Sequence, residues 1–302
     1  MNRTCLRGIL LALLGALSAC AALDSLEGVN IQGIDLGRLA SAGKHVAAFR
    51  EKTLDEEQLI GQDTAVLLLQ QAPLLNRPAV QTYVNRVGTW LALHSERPDL
   101  AWRFAVLDNS AVGAYAAPGG YVFITRGMLA QLHNEAELAG VLAHEIAHCV
   151  RKHHLQAIQS QAQVGLLGDL TQVALQASQA NSSGSTSKAN QVLAKEKFEG
   201  LVGNLYSRGL DRGDEYEADA MGVVIAARAG YDPYGLASVL QGLAVSRQED
   251  PMLVSFLKVH PNIGDRLSEL EPVYLYLDQA LLAHPAIPKS LEQRYLRQVS
   301  SR

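Results

Sequence analysis

The segment His144-Glu145-Ile146-Ala147-His148 carries two imidazoles four residues apart, with a carboxylate beside the first. On a helix, side chains at i and i+4 stand on one face. The two rings can therefore hold one zinc ion while Glu145 faces a water on that metal, an arrangement suited to hydrolysis of a peptide bond. A catalytic zinc site needs three protein ligands and one open position. The best candidate for the third lies in Asp214-Glu215-Tyr216-Glu217-Ala218-Asp219. Glu215 and Asp219 are again four apart, so Glu215 can bind the metal while Asp219 accepts the free N–H of a ligand histidine. Glu217 lies about 200° around the helix from Glu215 and is expected to point elsewhere. Such an acidic run is otherwise a solvated helix face; the two histidines upstream are what favour a ligand.

These residues need rigid carriers. Asn134 is a plausible N-cap for the HExxH helix, with Glu137 as its capping-box partner. Cys149 follows the second histidine, about 100° off the metal-facing stripe, and reads as a small packing residue. His153 stands five residues beyond His148, also off the stripe, and is expected to be packing or surface. His45, His94, His133, His154 and His284 carry no assignment. Upstream, Leu54 to Ala92 has helical spacing with a break at Arg77-Pro78. Ala101 to Leu107 alternates as a strand, and Tyr115 to Thr125 reads as a hairpin around Gly119-Gly120. Downstream, Ala157 to Ala180 is helical, Asn181 to Ser187 is a flexible loop, and Gln191 to Ala229 is helical with an interruption near Gly209 to Gly213. Tyr231-Asp232-Pro233 turns into a helix ending about Ser246. The expected fold class is α+β, mainly helical, with a small sheet or hairpin beside the HExxH helix.

The chain has 302 residues, 48% hydrophobic and 19% charged, as in an ordinary globular protein. A formal net charge of -4 gives no reason to expect nucleic acid as a partner. Arg3 and Arg7 flank an apolar run, Ile9 to Leu17, too short to span a membrane and suited to a signal peptide. Leu17-Ser18-Ala19-Cys20 resembles the lipobox of bacterial lipoproteins, which implies cleavage before Cys20 and its lipidation. The alternative is ordinary signal cleavage beside an incidental cysteine. Ala21, where Gram-negative inner-membrane lipoproteins carry Asp, resembles the outer-membrane sorting pattern. With Cys5 lost and Cys20 lipidated, Cys149 is left alone and no intramolecular disulfide is possible. The expected organisation is a signal peptide at 1–19, a tether at 20–53, a catalytic domain at 54–275 and a helical extension at 276–302.

Together the motifs resemble the HtpX-like and CAAX-prenyl-endopeptidase family of zinc metallopeptidases, gluzincins whose third ligand is the first Glu of an E-x-x-x-D turn. The likeness runs over roughly 55–275. It includes Pro118-Gly119-Gly120, Thr125-Arg126-Gly127, the HEIAH at His144, EYEAD at Glu215 to Asp219, and Gly230-Tyr231-Asp232-Pro233. It ends with Val259-His260-Pro261 and Arg266 six residues beyond the histidine. The resemblance implies one zinc per chain, held by His144, His148 and Glu215, with His260 and Arg266 facing the reacting oxygen. It also implies a substrate strand pairing along Ala114-Tyr115-Ala116. Relatives commonly carry Asn where this chain has Gly113, which puts one substrate-orienting contact in question. The implied protein is a lipid-anchored endopeptidase of a periplasmic branch without membrane helices or helical repeats. Its implied substrates are extended or misfolded envelope proteins, in quality control. The competing expectation is a chaperone-like or binding lipoprotein whose zinc site is held closed by His260. Nothing in the sequence fixes an oligomeric state.

Overall fold

The computed structural model describes residues 30–31, 34–35, 52–161, 187–245, 259–260 and 263–281. The expected signal peptide, Cys20, the expected Ala157 to Ala180 helix beyond residue 161, residues 181–186 of the expected loop, Pro261 and residues 282–302 lie outside them. The chain divides into two units, Met1–Glu51 with Ala162–Ala180 and Lys52–Gln161 with Asn181–Arg302. In the first, β1 (Asn30–Ile31) pairs antiparallel with β2 (Ile34–Asp35). The second unit carries the HExxH motif, the Glu215 to Asp219 run, His260 and Arg266.

That unit opens with α1 (Leu54–Gln71), started by a capping box. The Thr53 hydroxyl accepts from Glu56 N at 3.3 Å, and the Glu56 carboxylate accepts from Thr53 N at 2.9 Å. Pro78 begins α2 (Pro78–Ala92), where its missing N–H leaves nothing unsatisfied. Three strands follow: β3 (Arg103–Leu107), β4 (Ala114–Ala117) and β5 (Tyr121–Thr125). The β4–β5 hairpin is the expected one, closed by Gly119 and Gly120 at φ 74° and 91°, a region that favours glycine. The sheet order is β3-β5-β4, with β3 parallel to β5, so β4 is an edge strand.

Alternation along the strands buries both faces of this small sheet. Phe104, Val106, Ala114, Ala116, Val122 and Ile124 join the larger core with α2 and the HExxH helix. Leu107 and Phe123 join a second cluster with Ala65, Leu68, Ile158, Val202 and Leu205. A short helix α3 (Arg126–Gln131) leads into α4 (Glu135–Val150), which is buried from Glu137 through Cys149 and so behaves as a core helix. Asn134 caps it, accepting from Glu137 N at 2.9 Å. The expected box closes one residue further out: Glu137 accepts from His133 N at 2.7 Å, reaching back past the cap residue.

After a helical stretch at 153–161, four further helices are described in the unit: α5 (Ser187–Arg208), α6 (Arg212–Arg228), α7 (Gly235–Val245) and α8 (Ile263–Leu281). Among the described elements α4 and α6 share the most extensive interface. Gly222 permits it, since a Cβ there would stand 2.9 Å from the backbone nitrogen of His144. The two motif-bearing helices are thus pressed together at the first histidine.

Candidate metal centre

The α4–α6 contact brings the separated motifs to one point. Donor atoms of His144, His148, Glu215 and His260 all lie within 4.8 Å of one another, and all four residues are buried. The Nε2 atoms of His144 and His148 are 3.1 Å apart. Two nitrogens on a tetrahedral zinc, each bound at about 2.0–2.1 Å, would be separated by roughly 3.3 Å. Glu215 places Oε2 3.7 Å from His144 Nε2 and Oε1 3.5 Å from His148 Nε2. Its Oε1 is fully buried without a hydrogen-bond partner. A buried orphan carboxylate oxygen facing imidazole nitrogens fits a divalent cation, and the nitrogen-rich donor set suits zinc.

Burial alone would raise the Glu215 carboxyl, but His260, then His144 and Arg266, hold it down at about 2. His260 supplies the closest contact, donating Nδ1–H to Glu215 Oε2 at 2.6 Å. Glu145 has the opposite balance. Burial pushes its carboxyl up, with His144 and His260 opposing, a state suited to taking and releasing a proton. Asp219 stands 2.8 Å from His144 Nδ1, as the i+4 spacing from Glu215 predicts. Arg266, 1% exposed, donates Nε and Nη2 to Asp219 at 2.7 and 2.6 Å in a bidentate pair. That differs from the expected role at the reacting oxygen. Only Nη1 is turned elsewhere, 3.8 Å from Glu215 Oε2.

Two further residues belong here that the sequence reading missed. His153 is 3% exposed with Nδ1 2.9 Å from His148 Nδ1, and its Nε2 lies 3.2 Å from Glu217. Extrapolating the helix had placed His153 off the stripe. The helix ends at Val150, however, and Lys152 takes φ 60°, so the helix breaks and the chain turns before residues 153–161 resume as helix. His154 is buried against Tyr206, rings stacked at 5.1 Å, and burial lowers its pKa to about 3. Cys149 is the packing residue expected: 3% exposed, Sγ 3.3 Å from Ala117 O, its thiol pushed up by burial.

The β4 edge, where substrate pairing is expected, gives Gly113 a steric reason in this chain. A Cβ at Gly113 would stand 2.7 Å from the Tyr115 hydroxyl, so tyrosine fills that space. Thr125 N donates to Gly113 O at 2.9 Å, which turns the N–H and C=O groups of Ala114 and Ala116 outward from the hairpin. The Ala116 carbonyl accepts from Tyr206 Oη at 2.5 Å. Between this edge and the donor cluster lies a cavity of about 10 Å³, walled by Leu205, Tyr206, Leu210 and Val259. That is room for about one water.

Comparison with known proteins agrees with the geometry. The chain is 29% identical over 267 residues to the beta-barrel assembly-enhancing protease of Yersinia pestis, covering 86% of this chain and 50% of that one. To its counterpart in Escherichia coli K12 it is 26% identical over 252 residues, 81% of this chain and 48% of the other. The mitochondrial metalloendopeptidase OMA1 of Schizosaccharomyces pombe is 26% identical over 230 residues, 74% of this chain and 62% of its own. The chain thus spans about half the length of the bacterial relatives. The model of peptidase family M48 matches residues 78–273, more than half of the chain, and takes in the whole of α4, α6 and the sheet together with His260 and Arg266. By that match the chain belongs to peptidase family M48.

Proposed function

We propose that this chain is a zinc metalloendopeptidase, anchored by lipid on Cys20 at the periplasmic face of the outer membrane, that cleaves extended or misfolded envelope proteins. The observation that carries the reading is the convergence of His144, His148 and Glu215 beside the buried Glu145. These three would hold the ion. When bound, zinc supplies Lewis acidity, bringing the pKa of water towards ~7 and polarising the scissile carbonyl. Glu145 takes the proton of the attacking water and delivers it to the leaving amine. Asp219 fixes the ring of His144, and Arg266 fixes Asp219. His260, held against Glu215, would be a donor to the developing oxyanion. The outward groups of Ala114 and Ala116, flanking Tyr115, offer an extended substrate a strand to pair with, and Tyr206 must yield the Ala116 carbonyl first.

Envelope substrates are supported by the name of the bacterial relatives, beta-barrel assembly-enhancing protease. The lipobox-like Leu17 to Cys20 supports the anchor. No helix among the described residues is long and apolar enough to cross a membrane. The expected place beside HtpX-like members is supported only as far as the shared family M48. The similarity to beta-barrel assembly-enhancing proteases and OMA1 supports a place beside those, in a lipoprotein branch. The test is metal content alongside casein cleavage. Zinc near one per chain is expected, with cleavage falling about 10²–10⁴-fold in Glu145→Gln. Wild-type cleavage by a zinc-loaded Glu145→Gln would reject the mechanism.

The four-donor cluster and the small cavity favour a second reading, in which His260 holds the site closed and the protein acts as a chaperone-like binder. Genetic complementation by Glu145→Gln would support it. Faster proteolysis by His260→Ala would instead mark a regulated enzyme.

A further inference from the structure

Resting on the metal site proposed above, we infer that His153, oriented by Glu217, is a positioning residue that fixes the ring of His148 and thereby sets zinc affinity. With Nε2 of His148 turned to the donor cluster, the proton of that ring sits on Nδ1. The atom 2.9 Å from it is Nδ1 of His153, which must therefore be the acceptor. The proton of His153 then sits on Nε2, and 3.2 Å away the Glu217 carboxylate is there to accept it, with Asp214 Oδ1 at 3.8 Å. Arg151 pairs with the other oxygen of Glu217. Every donor in this series meets an acceptor: His148 to His153, His153 to Glu217, Arg151 to Glu217.

The backbone supports the assignment. Lys152 is the only non-glycine residue with positive φ among those described. A left-handed conformation at such a residue costs about 1–2 kcal/mol, and strain of this kind persists where surrounding contacts fix it. Here it folds His153 back beneath His148 rather than letting it continue around the helix. Among the described residues outside the metal cluster, His153 is also the buried histidine with polar partners on both nitrogens, whereas buried His154 Nδ1 has no hydrogen-bond partner.

The experiment measures zinc dissociation constants by chelator competition, with apo-protein circular dichroism to report folding. His153→Leu keeps bulk but leaves the buried His148 N–H unpaired, and zinc binding should weaken about 10–100-fold. His153→Asn puts an amide oxygen near the place of Nδ1 and should recover to within about fivefold of wild type. Glu217→Ala, at a half-exposed carboxylate, should weaken binding about 3–10-fold. Zinc binding within twofold of wild type in folded His153→Leu would overturn the inference. Should that variant not fold, Glu217→Ala decides: threefold or greater weakening supports the inference, and an unchanged constant overturns it. His148→Ala separates this from the underlying reading. If it too binds zinc like wild type, the metal site itself is misassigned; if it loses zinc while the His153 and Glu217 variants do not, only the positioning role falls.

Discussion

The two histidines of one helical turn are held in place by opposite means. His144 leans on Asp219, which is locked by Arg266, and both partners are 1% exposed. His148 leans on a second imidazole, and the carboxylate behind that is 42% exposed. The first arm is a buried ion pair tying α4, α6 and α8 together. The second is a surface-anchored relay closed by a turn at Lys152. Identical side chains therefore need not share a support: one arm is built into the stability of the fold, the other into the geometry of a turn.

If that contrast is right, damage to the arms should separate stability from metal binding. The largest effect belongs to Asp219→Ala, which strands the Arg266 guanidinium in the core and should cost about 3–5 kcal/mol in urea unfolding of the apo-protein. Adding Arg266→Met should restore most of that stability while zinc affinity stays about 10–100-fold weak, because His144 still lacks its acceptor. A double variant that recovers both would show that Asp219 serves the fold alone. Next comes removal of the metal: with zinc at about 100 times its dissociation constant, chelation should lower stability by about 2.7 kcal/mol. Lys152→Gly should then raise thermal stability by about 0.5–1 kcal/mol, the relief of left-handed strain less the added chain entropy. The smallest change is expected from Arg151→Ala, about 0.5 kcal/mol and absent in ~1 M salt, since both members of its pair are exposed. A larger, salt-insensitive loss there would mean that the outer arm is buried in function, and the contrast would fail.

What could be read from the sequence was whatever a continuous helix carries. His144 with His148, and Glu215 with Asp219, follow from the i+4 period alone, and the capped start of α4 and the break before α6 were legible in Asn134 and Gly209 to Gly213. His153 was not, because its place depends on a backbone turn at a lysine, a residue type with no turn signature. Arg266 was placed near the site but not on Asp219, since the pairing joins helices 47 positions apart in sequence. The parallel register of β3 beside β5 was hidden for the same reason. Alternation marks strands but does not choose their neighbours.

The bond from Tyr206 to the Ala116 carbonyl has one more consequence. A strand edge with open backbone groups is a template for self-association. Here β4 is four residues long, and one of its outward acceptors is already occupied. Two copies of this chain meeting edge to edge would find little to zip together. An extended segment pairing along β4, as proposed above, would have to break that one bond first, so the hydroxyl that blunts the edge against self-association would also be a threshold for the proposed substrate.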